Sequence, residues 1–260
     1  MTVRLAIAGA SGRMGRALVD ALTGRQDLAL VGLTDGPDSA MLGQSVAGVG
    51  VTGDAGSVFR TADVVADFTV PAATRAHAGL AAETGTALVI GTTGLTPDDQ
   101  DMIARAAQRT AIVQAANFSL GVNLLEALVR QAAERLGPPW DIEILEMHHR
   151  NKVDAPSGTA LALGRAAAAG RGVDFETMRS APRDGLTGER PRGHIGFGVL
   201  RGGDVAGEHS VIFAGAKERL ELAHKATDRS IFAYGALHAA AWAAGRAPGL
   251  YTMADVLDLT

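Results

Sequence analysis

Two imidazoles, a guanidinium and an ammonium fall between residues 148 and 152, in the run Glu146-Met147-His148-His149-Arg150-Asn151-Lys152-Val153-Asp154-Ala155-Pro156-Ser157-Gly158-Thr159. Cations packed together repel. Such a cluster points to an anionic ligand or a proton-transfer task, with a solvated basic turn as the plainer alternative. The residues that follow favour the ligand. Pro156 and Ser157 open a helical stretch running through 159–169. The first N–H groups of a helix lack intrahelical partners and stand at the positive end of its dipole. Gly158 has no side chain to hold a ligand away, so amides at Gly158 and Thr159, with the Thr159 hydroxyl, are placed to grip a carboxylate while Arg or His faces a second anionic group. The chemistry is that of a small dianion held beside a proton donor.

A second motif, Gly9-Ala10-Ser11-Gly12-Arg13-Met14-Gly15, lies between an apolar run and a helical stretch. Glycines there let the backbone turn tightly and approach a pyrophosphate on free helix N–H groups. The spacing is G-x-x-G-x-x-G, so the motif alone is also compatible with an unliganded turn. Asp35 ends the next apolar run, where a carboxylate accepts from the ribose of a dinucleotide; a solvated turn Asp is the alternative. Asp67-Phe68-Thr69 and Gly91-Thr92-Thr93-Gly94 close two further runs, at the strand ends where such ligands bind.

The elements that must position these residues read as follows. Runs 3–9, 28–34, 64–69, 87–91 and 111–114 read as buried strands, mostly continuous apolar runs as a parallel sheet covered on both faces requires, and 13–23, 72–84 and 97–108 read as helices between them. Gly24 is a stop, and Thr96 caps a helix with Pro97 at its first position. This β-α-β alternation predicts a doubly wound α/β domain. Beyond residue 120 the pattern changes: a helix over 123–136, a strand over 141–147, the polar segment, the helix 159–169, a loop over 179–193, and strands over 194–201, 209–213 and 220–224. These predict an α+β domain on a mostly antiparallel sheet, and a last helix over 231–245 packs back on the first domain. The expected domains are 1–120, completed by the helix and tail 228–260, and 121–227, with hinges near 119–122 and 226–230.

Bulk properties narrow the classes. The chain has 260 residues, 47% of them hydrophobic, a net charge of −4 and no cysteine. Disulfides, thiolate nucleophiles and Cys-based zinc sites are excluded; no metal site is expected, and a reducing cytoplasm fits. No basic excess points to nucleic acid or an anionic membrane. No apolar run approaches the roughly 18 residues of a membrane span.

The run from His148 to Ala160, H-H-R-x-K-x-D-A-P-S-G-T-A, resembles the signature of the dihydrodipicolinate reductase family. Gly12-Arg13-Met14-Gly15, Asp67-Phe68-Thr69, Gly91-Thr92-Thr93-Gly94, Ala116-Asn117-Phe118-Ser119, Gly207-Glu208-His209 and His224-Lys225-Ala226 look like family motifs in family order. The resemblance implies a homotetramer with an N-terminal Rossmann domain and a C-terminal domain for substrate and subunit contacts. It also implies NAD(P)H-dependent reduction of a cyclic dicarboxylate on the diaminopimelate route to lysine. By position, it makes His148 the acid–base residue, Lys152 a second catalytic group, His149 a substrate contact, and Gly158 with Thr159 the carboxylate cradle. The implied cofactor contacts are Gly9, Ala10, Ser11, Gly12, Arg13, Met14, Asp35, Gly91, Thr92, Thr93, Ala115, Ala116, Asn117 and Phe118.

One position departs. Many members carry Arg after the acidic ribose residue, and this chain has Gly36. A 2′-phosphate loses a charged partner there and meets the Asp35 carboxylate, with Arg13 of the glycine-rich turn near enough in principle to compensate. NADH is therefore expected to be favoured, or both NADH and NADPH used. His77 and His238 are expected to be structural or solvent-exposed; His194, His209 and His224 carry no assignment. Two other readings stay open: a Rossmann dehydrogenase of another small carboxylate, and a non-enzymatic NAD-sensing protein. A semialdehyde dehydrogenase acting through a thioester needs a cysteine.

Overall fold

Three strands, β1 (Val3–Ala8), β5 (Val64–Asp67) and β6 (Ala87–Ile90), are buried almost from end to end because helices cover both faces of their sheet. The computed structural model describes residues 2–180 and 182–259. It divides into two compact units, one formed by residues up to Leu120 and from Ser230 onward, the other by Gly121–Arg229.

The first unit is built on an 8-stranded sheet. Its order is β12 (Gly249–Tyr251), β7 (Ala111–Gln114), β6, β5, β1, β2 (Leu28–Thr34), β4 (Val49–Thr52), β3 (Ser45–Val46). Every pairing is parallel except the β3–β4 hairpin. Helices α1 (Arg13–Ala21) and α8 (Ile231–Ala243) bury their apolar sides on one face of the sheet. Helices α2 (Ala55–Thr61), α3 (Pro71–Thr84) and α4 (Pro97–Ala107) cover the other. Each fully buried Leu, Ile or Val of the central strands contributes about 1.5–3 kcal/mol from its removal from water. Thr96 and Asp99 close a capping box at the start of α4, with Pro97 in its first turn. A short helix, α9 (Met253–Val256), ends the unit.

The second unit packs α5 (Leu120–Leu136), α6 (Gly158–Arg171) and the short α7 (Phe175–Met178) with one face of a four-stranded sheet. The strand order is β11 (Arg219–Ala226), β10 (Gly207–Ala214), β8 (Asp141–His148), β9 (Ile195–Arg201), antiparallel except for the β8–β9 pair. The fold class is therefore the one read from the sequence. The β3–β4 hairpin, β12, α2, α7 and α9 were not expected. Each is only two to seven residues long, too short for periodicity to stand out, and β12 exists only by pairing with a strand far away in sequence.

Candidate active site

In the first unit the strand ends form a cavity of about 430 Å³, whose lining includes Gly9, Ser11, Gly12, Asp35, Phe68 and Thr69. Gly9 turns the chain with φ +82, a conformation L side chains rarely adopt. A β-carbon on Gly15 would overlap the carbonyl oxygen of Gly9, so only glycine lets α1 start this close to the turn. Gly12 caps α1 without a side-chain bond, so the helix start keeps amides for an anion. Asp35 accepts from the amides of Ser11 at 2.7 Å and Gly36 at 2.8 Å. Burial pushes its pKa up, but the Ser11, Gly36 and Ser39 donors outweigh burial and hold the carboxyl below its ordinary value. A cavity, a glycine turn, an uncapped helix start and an ionised carboxylate fit a dinucleotide.

A second cavity of about 210 Å³ is lined by Thr92, Thr93, Ala115 and Ala116, with Gln100 and Gln114. Thr92 is also structural: its hydroxyl accepts from the Thr69 amide and from Thr74. Ala10 is buried, Arg13 is exposed and Met14 packs on the core. Gly91 makes room for the Phe68 ring, which lies 5.4 Å from that of Phe118, and Asn117 accepts from the Ser119 amide. Beneath this wall Asp67, fully buried, pairs with His77 at 3.0 Å and accepts from the Thr69 hydroxyl at 2.5 Å. His77 is thus buried, bonded to Asp67, and part of the first cavity's lining.

In the second unit, strand alternation puts Glu146 and His148 on one face of β8. Register then sets His148 beside Arg201 of β9, and Glu146 beside His209 of β10, which faces His224 of β11. The His148 Nδ1 lies 2.5 Å from Glu146 Oε2, and Arg201 donates both terminal nitrogens to the same carboxylate at 2.8 Å. The Ser157 amide adds a fourth contact at 3.0 Å. Burial opposes ionisation of Glu146, yet Arg201, His148 and Ser157 hold its pKa below the ordinary value. Burial lowers that of His148; Glu146 opposes the shift, while Lys152 and Arg201 add to it. His209, 3.1 Å from the Ser157 hydroxyl, is pushed down to about 4 by burial and then by His148, so it is neutral at pH 7.

Ser157 caps α6 by accepting from the Ala160 amide, and Gly158 follows, exposed, with open space where a side chain would be. Thr159 is half-buried in the same first turn. Lys152 is paired with Asp154 at 2.8 Å, and the His149 amide donates to Val205 O. Arg150 is exposed and stands outside this cluster's hydrogen bonds. The structure therefore places His148, Lys152 and the α6 start in one unit and the candidate dinucleotide contacts in the other.

Comparison with known proteins agrees. The family model described as Dihydrodipicolinate reductase, N-terminus matches residues 3–118, and that for the C-terminus matches 121–257. The chain belongs to the dihydrodipicolinate reductase family. A relative in Afipia carboxidovorans, named 4-hydroxy-tetrahydrodipicolinate reductase, is 57% identical, with 99% of this chain and 97% of that protein covered. One of the same name in Rhodopseudomonas palustris is 53% identical, covering 99% and 98%. A solved dihydrodipicolinate reductase from Paenisporosarcina sp. TG-14, described as dipicolinate-bound, matches with TM-score 0.81 at 27% identity, covering 97% of this chain and 98% of that one.

The sequence reading of the candidate site left out Glu146 and Arg201 and gave His209 no assignment. Glu146 had a signal, since a residue two before the candidate His148 on a strand shares its face. Arg201 had none: it arrives through the parallel β8–β9 pairing.

Proposed function

We propose that the chain reduces 4-hydroxy-tetrahydrodipicolinate to tetrahydrodipicolinate with loss of water, on the diaminopimelate route to lysine. The observation that carries this is the coupling of a buried, carboxylate-backed imidazole, His148, to a helix start whose Gly158 is open for a carboxylate. The cyclic dicarboxylate rests one carboxylate on Gly158 and Thr159, with its ring near His149 and Lys152. Lys152 exchanges Asp154 for the ligand. With the 4-hydroxyl group lost as water, the conjugated ring would take its hydride from a reduced nicotinamide when one is bound. His148, protonated, then gives a proton to the carbon next to the reduced one, and Glu146 stabilises the imidazolium until transfer. The unit formed by residues up to 120 and from 230 is the proposed dinucleotide-binding domain, and 121–229 the proposed substrate and subunit domain.

Gly9, Ser11, Gly12 and the first turn of α1 would hold the pyrophosphate, Asp35 the ribose, and Thr93 with Ala115 and Ala116 the other end of the dinucleotide. Gly36 leaves open space beside Asp35 and carries no cation of its own to meet a 2′-phosphate, so NADH is the favoured cofactor or is used alongside NADPH. A homotetramer is also proposed. It is supported by the outer face of the four-stranded sheet, where Leu145 and Leu200 are exposed; light scattering on the purified protein tests it. No helix among the described residues is long and apolar enough to cross a membrane. The cytoplasm, a small dicarboxylate and copies of itself, with no nucleic acid or membrane, complete the proposed setting and partners. The assay that tests the reading couples the chain to the condensation of aspartate semialdehyde with pyruvate and follows NADH absorbance. Oxidation of NADH only when both precursors and the condensing enzyme are present is the expected result.

A further inference from the structure

The geometry points to Glu146 as the positioning residue that sets the tautomer and aim of His148, with Arg201 clamping its carboxylate; this rests on the reductase reading above. The Glu146 side chain is fully buried. Its two oxygens face four groups: Nη1 and Nη2 of Arg201, the Ser157 amide, and Nδ1 of His148. The first three can only donate. An ionised carboxylate accepts from all four, and its position next to Nδ1 places the neutral ring's proton there. That leaves Nε2 as the nitrogen that takes up and delivers the catalytic proton.

Gly207 supports the same orientation. A β-carbon there would stand 3.1 Å from Nε2 of His148, so glycine keeps that nitrogen clear. The charged and titratable groups facing His148 are Glu146 on its own strand, Lys152 in the following turn, Arg201 on β9 and His209 on β10, whose ring is 5.1 Å away. Glu146 is the one anion among them. Both terminal nitrogens of Arg201 are committed within the site, Nη1 donating also to the Leu200 carbonyl and Nη2 to that of Asp154, while its buried Nε has no partner.

In the variant Glu146→Gln an NH2 group replaces one oxygen and confronts donors. Only His148 can answer, by moving its proton to Nε2 and accepting at Nδ1. Ring ¹⁵N spectra of the ligand-free wild-type protein should show His148 as the Nδ1–H tautomer, and those of Glu146→Gln the Nε2–H tautomer. In the coupled assay kcat should fall about tenfold or more with KM little changed, the usual scale for groups that orient an active one. Glu146→Asp, which keeps the charge, should recover part of the loss. A wild-type His148 in the Nε2–H form would overturn the clamp without any variant having to fold. So would an active Glu146→Gln enzyme with unaltered kcat and tautomer. A wild-type chain that shows the predicted tautomer but never oxidises NADH would instead sink the reductase reading.

Discussion

The amide of Ser11 donates to Oδ2 of Asp35 at 2.7 Å, so the carboxylate proposed to read the ribose also ties down the glycine-rich turn proposed to hold the pyrophosphate. Asp35→Asn should therefore weaken both contacts together, raising the KM for NADH with a smaller effect on kcat. A change in kcat alone would mean that Asp35 does not face the cofactor.

Gly36 follows that carboxylate, is exposed, and has nothing within 4 Å of the position a β-carbon would take. Gly36→Arg is expected to fold normally and to raise kcat/KM for NADPH relative to NADH by about tenfold, the effect of one added charge-assisted contact. In the wild type, NADH should equal or exceed NADPH. A strong wild-type preference for NADPH would contradict the role given to Gly36.

Because burial holds the pKa of His148 below its ordinary value, the imidazole of the free protein is mostly neutral at pH 7. A dianion beside it favours the charged form. Binding of dipicolinate, the ligand of the Paenisporosarcina structure, should then draw a proton from solution. Calorimetry in buffers of different ionisation enthalpy measures this uptake, which His148→Gln should abolish. Binding without proton exchange would mean that His148 does not sense the ligand.

His209 is nearly buried and titrates near 4 in the folded protein, against about 6.5 unfolded. Between those values the unfolded state binds more protons, so stability rises with pH across that window and is lost as pH falls through it. The slope from this one group is at most about 1.4 kcal/mol per pH unit. Urea unfolding at several pH values should show a shallower dependence in His209→Asn. An unchanged slope would show that His209 charges without penalty.

The central sheet could be read from the sequence because Leu5-Ala6-Ile7-Ala8 or Leu88-Val89-Ile90 buries both faces, a local demand visible in the residues themselves. The glycine turn was legible for the same reason, since Gly9 and Gly15 answer local sterics. His148 and Gly158 stood out by chemistry and spacing. Their support did not: Arg201 lies more than fifty positions after Glu146 and meets it only through strand register, and His209 meets Ser157 only because the start of α6 packs on the sheet. His77, read from the sequence as structural or solvent-exposed, is buried, and nothing local marked its bond to Asp67, which comes from packing α3 on the sheet.

Replacing the proposed proton donor asks the most direct question. In the coupled assay His148→Gln should lose about 10²–10⁴ in kcat, the usual weight of a positioned acid, while dipicolinate still binds and the KM for substrate changes little. Turnover near that of the wild type would contradict the account, since the proton would then come from elsewhere.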